Sequence, residues 1–350
     1  MQRNIGLDIL RTASISLVLL HHSGITIPQL QRPGLGALGV EFFFVLSGFL
    51  IGNILLNQLQ KENSFKSIKT FWFRRWMRIL PAYYFMILFK FIFIDHSVGI
   101  NIIYYLLFLQ NNFYGIEFYD ITWSLVLEEW FYIMLPFFLT LFLKFDGIKL
   151  KRGLLYFALF IVGEYALRFI YVKLKGGNFS GLNGNVLLRF DSFMIGVLLA
   201  YLKLNFNTIF TKLNNKFLFL AALAGLVGYL YFLNSKENPV QYFDNSTTLK
   251  VFHYSIISIL IGIMIPSFFF IDLSGINKKI ERVINFVFTN ISKLTYSLYL
   301  VHPLFYFVLL TFNPDYSKLL FFLFTFVSAI ALYFLVEKPF LRLRDKKIKE

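Results

Sequence analysis

Leu7–Gly24, LDILRTASISLVLLHHSG, is the stretch whose reading decides the fold. It is apolar enough for lipid, yet it carries Asp8, Arg11, His21 and His22. A secretory leader would end in a small-x-small cleavage site, whereas this run ends in HHSG, so it is expected to stay as a first membrane helix. Eleven residues make three helical turns plus about 20°, which puts Arg11 and His22 on one face, about 16 Å apart along the axis. His21 points about 80° away from Arg11. Asp8, one turn below Arg11, is placed to pair with it.

The rest of the chain repeats that apolar character. It has 350 residues, 57% hydrophobic and 15% charged, with a mean hydropathy of +0.65. Ten stretches approach the ~20 residues that cross a bilayer: 6–25, 38–57, 79–95, 124–144, 153–172, 187–203, 216–233, 251–271, 294–312 and 317–336. No long hydrophilic stretch and no internal repeat remain, so the expectation is an all-α polytopic helix bundle forming one membrane domain over 1–350. With the N-terminus taken as cytoplasmic, twenty-four of the 34 Lys and Arg fall in inner segments. Six (Arg32, Lys173, Lys175, Lys236, Lys250 and Lys318) fall in outer ones, which is the bias expected of a multi-pass protein with both termini inside. The formal charge of +15 therefore reads as a topology signal, and nucleic acid is excluded as a partner because the basic groups have no soluble domain to sit on. The absence of cysteine removes disulfides, thiolate metal sites and a cysteinyl acyl-enzyme, and no metal is expected. Asn101–Gln110, NIIYYLLFLQ, is too short to cross and is expected to form an interfacial or re-entrant helix.

An ionised side chain at mid-bilayer costs at least ~2.5–3.5 kcal/mol, so each one kept inside a span is a functional candidate. Beyond the first helix, FWFRRWMRILPAYY (Phe71–Tyr84) puts Arg74, Arg75 and Arg78 within about one turn, beside Trp72 and Trp76. Guanidiniums with aromatic neighbours suit a phosphorylated nucleotide; positive-inside anchoring is the plain alternative. TWSLVLEEWFY (Thr122–Tyr132) places Glu128 and Glu129 inside a span, about 100° apart, so at most one faces a given cavity. A carboxylate there would orient a histidine or bind an acceptor hydroxyl, or else pair with Arg168 or Arg189. GVEFFFVLSGFLIG (Gly39–Gly52) puts Glu41 at the entrance of the second span and Ser47-Gly48 where small residues permit close packing. RFDSFMIG pairs Arg189 with Asp191, His302 in YSLYLVHP is read as half structural, and His253 as interfacial.

Together and in this order, these stretches resemble the acyltransferase-3 family of integral membrane acyltransferases. The matching pieces are LDILR with a histidine eleven residues after the arginine, GVEFFFVLSGFLI, FWFRRWMRILPAYY, TWSLVLEEWFY, RFDSFMIG, TYSLYLVHPLF and VEKPF, from Leu7 to Phe340. The resemblance implies ten transmembrane helices, a cytoplasmic acyl-coenzyme A donor, acetyl-coenzyme A above all, and transfer to a hydroxyl of a cell-envelope or lipid-linked glycan across a bacterial plasma membrane. It implies His22 as the catalytic histidine, Arg11 as its companion, and Arg74, Arg75 and Arg78 as the coenzyme A motif. Glu128 and Trp123 match the central acidic motif, with Ser124 and Glu129 inside it; Asp8, Glu41 and Arg189 are supporting residues. Glu41 stands where Asp is more frequent, Trp130 where Gln is common, and the His21-His22 doublet is atypical. Some members carry an added extracytoplasmic hydrolase-like domain; with no such extension here, the chain is expected to act alone or with a separate partner.

Those residues suggest direct transfer, with His22 as general base and Arg11 holding the pantetheine or the developing oxyanion. A transient acyl-histidine is the mechanistic rival. A secondary transporter or lipid-linked glycan flippase would also explain ten spans and buried charges, but it does not call for the arginine group.

Overall fold

The computed structural model describes residues 3–25, 34–144 and 149–349. Arg32, counted above with the outer segments, lies outside them. Among the described residues there is no strand, and ten long helices carry the chain: α1 Ile5–His22, α2 Leu35–Lys61, α3 Phe65–Phe93, α4 Thr122–Lys144, α5 Leu150–Lys175, α6 Phe190–Asn205, α7 Lys216–Asn234, α8 Thr247–Phe269, α9 Lys278–Val301 and α10 Pro314–Leu332. Eight are long and apolar enough to cross a bilayer. The other two are α1, interrupted by Asp8 and Arg11, and α6, of 16 residues.

Local chemistry fixes several starts. Asn4 accepts from the Leu7 N–H at 3.0 Å and caps α1, and Ser64 accepts from the Ser67 N–H at 3.3 Å and caps α3. From that cap α3 begins fourteen residues before the expected span, so Arg74, Arg75 and Arg78 lie within the helix rather than in a loop ahead of it, and the helix continues through Pro81. α9 likewise starts early, because its first turns are amphipathic and helical without being apolar enough to register as a span. The expected run 294–312 breaks at His302–Phe305, a 3-10 turn in which Pro303 cannot continue the α-helical ladder. The expected helix over Asn101–Gln110 is also broken, into Ile102–Leu106 and Gln110–Phe113, with Phe108 between them at φ 57°. Gln110 is buried there and donates to Tyr83 Oη at 3.2 Å and Thr122 Oγ1 at 3.1 Å, so this segment is packed into the protein.

α1, α2 and α6 form the centre. In α2, 72% of the most apolar window is buried, against 22% in α5, α7 and α10, which present Leu and Phe outward as lipid-facing helices do. α2 and α6 meet so closely that a Cβ on Gly48 would overlap the Phe193 carbonyl oxygen, and one on Gly196 the Val45 carbonyl oxygen. Glycine is the residue that permits this approach.

Candidate active site

Two polar cavities lie between the central helices. The first, the arginine cavity, is lined by Arg11 of α1, Ser47 of α2, Arg75 and Arg78 of α3, Ser124 and Glu128 of α4, and Thr295, Tyr296 and Tyr299 of α9. Arg75 and Arg78 share a face because they are three residues apart. Glu128 accepts from Ser47 Oγ at 2.9 Å and from the Tyr132 hydroxyl one turn on, with Arg75 Nη2 3.8 Å away. Arg75 Nη2 donates to Tyr132 Oη at 2.7 Å, and its guanidinium lies 4.4 Å from that ring's centroid. Arg11, Arg75 and Arg78 thus line one space with Glu128, Arg11 also reaching Asp8 at 3.5 Å, and their guanidiniums suit an anion or a polarised carbonyl. The cavity's volume, about 110 Å³, is well below the ≈ 300–1,000 Å³ of pockets that hold drug-sized ligands. It accommodates a slim chain rather than a nucleotide.

The second, the histidine cavity, is lined by His21 and His22 at the end of α1, by Gly36, Ala37 and Val40 of α2, and by Asp120, Trp123, Asn183 and Tyr299. Val40 and Tyr299 line both cavities and divide them. The divider is braced: Tyr299 Oη donates to the Ile121 carbonyl at 2.9 Å, and Ser124 Oγ donates to Tyr299 Oη at 2.6 Å. His22 Nδ1 is 3.1 Å from Nε2 of His302, and the His21 and His22 ring centroids are 4.9 Å apart.

Several expectations are corrected here. Arg11 and His22 line different cavities, so a shared helical face did not bring them together; the rise of about 16 Å between them is long compared with either side chain. Both histidines reach the same cavity, and what separates them is the bond from His22 to His302. The expected Asp8–Arg11 pair forms, at 3.5 Å, and Asp8 is held more closely by Arg3, Nε to Oδ2 at 2.5 Å, and by Ser292 Oγ at 2.6 Å. Glu128 pairs with Arg75, not with a histidine, Arg168 or Arg189. Arg74 is not among the residues that line the arginine cavity, and Trp72 and Trp76 stack on each other at 6.0 Å. Glu129 is buried off both cavities, about 100° round α4 from Glu128.

A third polar group is closed. Arg189 pairs with Glu41 rather than Asp191, and donates through Nη1 to Asn183 Oδ1 at 2.7 Å; Glu41 Oε2 also accepts from Ser192 at 2.9 Å. Asp191 pairs with Arg168 at 2.5 Å and accepts from Ser255. Arg189 stands at the N-cap just ahead of α6 and turns to Glu41, while Asp191 in the first turn of that helix turns to Arg168. His253 is buried, with Nδ1 2.8 Å from the Tyr229 hydroxyl.

Sequence reasoning passed over Asp120, Asn183, Tyr299 and the contact of His302 with His22. Only the last two left a trace in the sequence, through their three-residue spacing in TYSLYLVHP.

A family model described as an acyltransferase domain matches residues 4–338. The chain is 34% identical over 158 residues to the peptidoglycan O-acetyltransferase OatA of Listeria monocytogenes, covering 40% of this chain and 24% of that one. It is 30% identical over 217 residues to a putative O-acetyltransferase of Staphylococcus aureus, covering 56% and 34%. It is 33% identical over 153 residues to the putative peptidoglycan O-acetyltransferase YrhL of Bacillus subtilis, covering 38% and 23%. The matched regions span about a quarter to a third of the length of these curated relatives. No solved structure matches the chain.

Proposed function

The chain belongs to the acyltransferase-3 family, and on that premise we propose that it transfers an acetyl group from cytoplasmic acetyl-coenzyme A to a hydroxyl of a cell-envelope glycan. The observation that carries this reading is the pair of polar cavities meeting at Val40 and Tyr299, one cationic and one containing His22. The relatives named for peptidoglycan O-acetylation support that polymer as the acceptor class. The bias of Lys and Arg supports cytoplasmic termini in a bacterial plasma membrane, and in this reading the arginine cavity lies on the donor side of His22.

In this scheme the coenzyme's phosphates stay at the mouth of the arginine cavity, and the narrow pantetheine arm enters past Arg75 and Arg78. Arg11 holds that arm rather than the oxyanion, since it lines a different cavity from His22. The acceptor enters the histidine cavity, where Trp123 offers an apolar face and Asp120 and Asn183 offer hydrogen-bonding groups. His22 takes the proton of the acceptor hydroxyl as its oxygen attacks the thioester carbonyl carbon. The tetrahedral intermediate collapses with loss of the coenzyme A thiolate, which is then protonated, leaving the acetyl ester. Residues 1–350 act as one membrane domain.

The test is purified protein in lipid nanodiscs, with radiolabelled acetyl-coenzyme A and soluble peptidoglycan fragments. Thiol release and label on the glycan are expected together and only with acceptor present. His22→Ala lowers turnover by about 10²–10⁴-fold, the worth of a general base, while His21→Ala retains it. Thiol release unaffected by His22→Ala, or abolished by His21→Ala alone, overturns the assignment.

A further inference from the structure

His302 has no part in that scheme, yet it is fully buried and its ring meets His22. Its Nδ1 lies 3.2 Å from the Leu298 carbonyl oxygen, and its Nε2 lies 3.1 Å from His22 Nδ1. A carbonyl oxygen only accepts, so Nδ1 of His302 carries the hydrogen. Around the ring stand His22, Tyr299 and Tyr306, with centroids 5.0, 5.7 and 5.9 Å away. None of these partners is a carboxylate, so a resting imidazolium there would be a buried charge without a counter-ion, and the ring is neutral. A neutral ring with hydrogen on Nδ1 has a bare Nε2 that can only accept. The hydrogen in the bond between the rings therefore belongs to Nδ1 of His22, and Nε2 of His22 is the nitrogen left with a free lone pair.

We propose that His302 is a positioning residue that holds His22 in the tautomer whose Nε2 accepts the acceptor's proton. This rests on the reading of His22 as the general base. His302 then does for His22 what the buried carboxylate of a serine-protease triad does for its histidine, fixing tautomer and ring orientation, but with a neutral acceptor. As His22 gains its proton, its Nδ1–H bond to His302 becomes charge-assisted and strengthens, which favours the transition state over the ground state. Tyr306 packs against both rings, 5.4 Å from His22 and 5.9 Å from His302, and limits rotation of His22.

Nitrogen-15 spectra of histidine-labelled protein in nanodiscs test the hydrogen bond without reference to turnover, because protonated and bare ring nitrogens resonate far apart. The expected signature is His22 with hydrogen on Nδ1 and a bare Nε2, assigned by its loss in His22→Ala and its persistence in His21→Asn. His302→Leu removes the acceptor: His22 loses that signature, and kcat falls at least about 100-fold, since a wrong tautomer costs up to ~10⁴ in serine-protease triads. KM for acetyl-coenzyme A stays unchanged. His302→Gln, whose side-chain carbonyl can accept near the place of Nε2, keeps kcat within about tenfold of the parent and shows that the Leu variant's loss is not one of folding. Hydrogen on Nε2 of His22 in the parent protein, a His302→Leu kcat within twofold of the parent, or equal losses in the Leu and Gln variants overturns the inference. A His22→Ala protein that still transfers acetyl sinks the reaction scheme itself, a result the spectra cannot imitate.

Discussion

Two regions of this bundle hold arginines and carboxylates inside the apolar span, and they are built in opposite ways. In the Glu41–Arg189 and Asp191–Arg168 cluster each guanidinium bridges one carboxylate, with Glu164 a further buried carboxylate beside Arg168, and Arg168 also donates to the Leu188 and Val251 carbonyls at 2.7 and 2.9 Å. Both arginines are completely buried. In the arginine cavity, three guanidiniums and one carboxylate line a space, with Arg11 also paired to Asp8. An intramembrane charge is expensive in either place. A guanidinium that lines a cavity is available to a ligand; one whose pair is buried between helices, as in Arg168 and Arg189, ties those helices together.

The largest effect expected from this contrast is on the closed cluster. Arg189→Met strands the Glu41 carboxylate, and breaking a buried pair in this way costs about 3–5 kcal/mol. The thermal unfolding midpoint in detergent and the folded yield should both fall, with KM for the donor unchanged in the protein that folds. The double change Glu41→Leu with Arg189→Met should recover most of that loss, because a buried pair replaced by apolar residues is often neutral. A donor-binding defect without loss of stability would break the comparison.

A smaller effect, and of another kind, is expected in the open cavity. Arg75→Gln or Arg78→Gln should raise KM for acetyl-coenzyme A by roughly 10- to 100-fold, in keeping with about 1.5–3 kcal/mol for a hydrogen bond to a charged group. The unfolding midpoint should not move. Arg74→Gln, off the cavity, serves as the control, and an equal rise in its KM would return the three arginines to a single undivided motif. The smallest effect belongs to Ser47→Ala, which removes one donor to Glu128; a KM change of a few fold, about 0.5–1.5 kcal/mol, is expected. An unfolding defect there instead would place Ser47 with the packing of α2.

Much of the fold was legible because lipid imposes a simple rule: a run of about 20 apolar residues must satisfy its backbone as a helix. All ten expected spans correspond to helices. The misplaced starts of α3 and α9 have a common reason, since Arg74–Arg78 and the amphipathic opening of α9 are good helix but poor membrane, and hydropathy registers only the second property. The candidate site was legible residue by residue and not as an arrangement. Arg11, Arg75, Arg78 and Glu128 were all singled out as charges, yet their grouping around one cavity, and the exclusion of His22 from it, depend on how five helices pack.

The sequence by itself determined that this is a multi-pass helical membrane protein, which segments are apolar helices, where the buried charges lie along each helix, and which motifs its family resemblance rests on. Those are local properties: hydropathy and helical phase are fixed within one segment. Only the tertiary structure decided that Arg189 meets Glu41, 148 residues away, that His22 meets His302, 280 residues away, and that Tyr299 divides the two cavities. Helical phase gives a side chain its direction but not what stands there. That is set by close approaches such as Gly48 on the Phe193 backbone, which bring helices from distant parts of the chain into register.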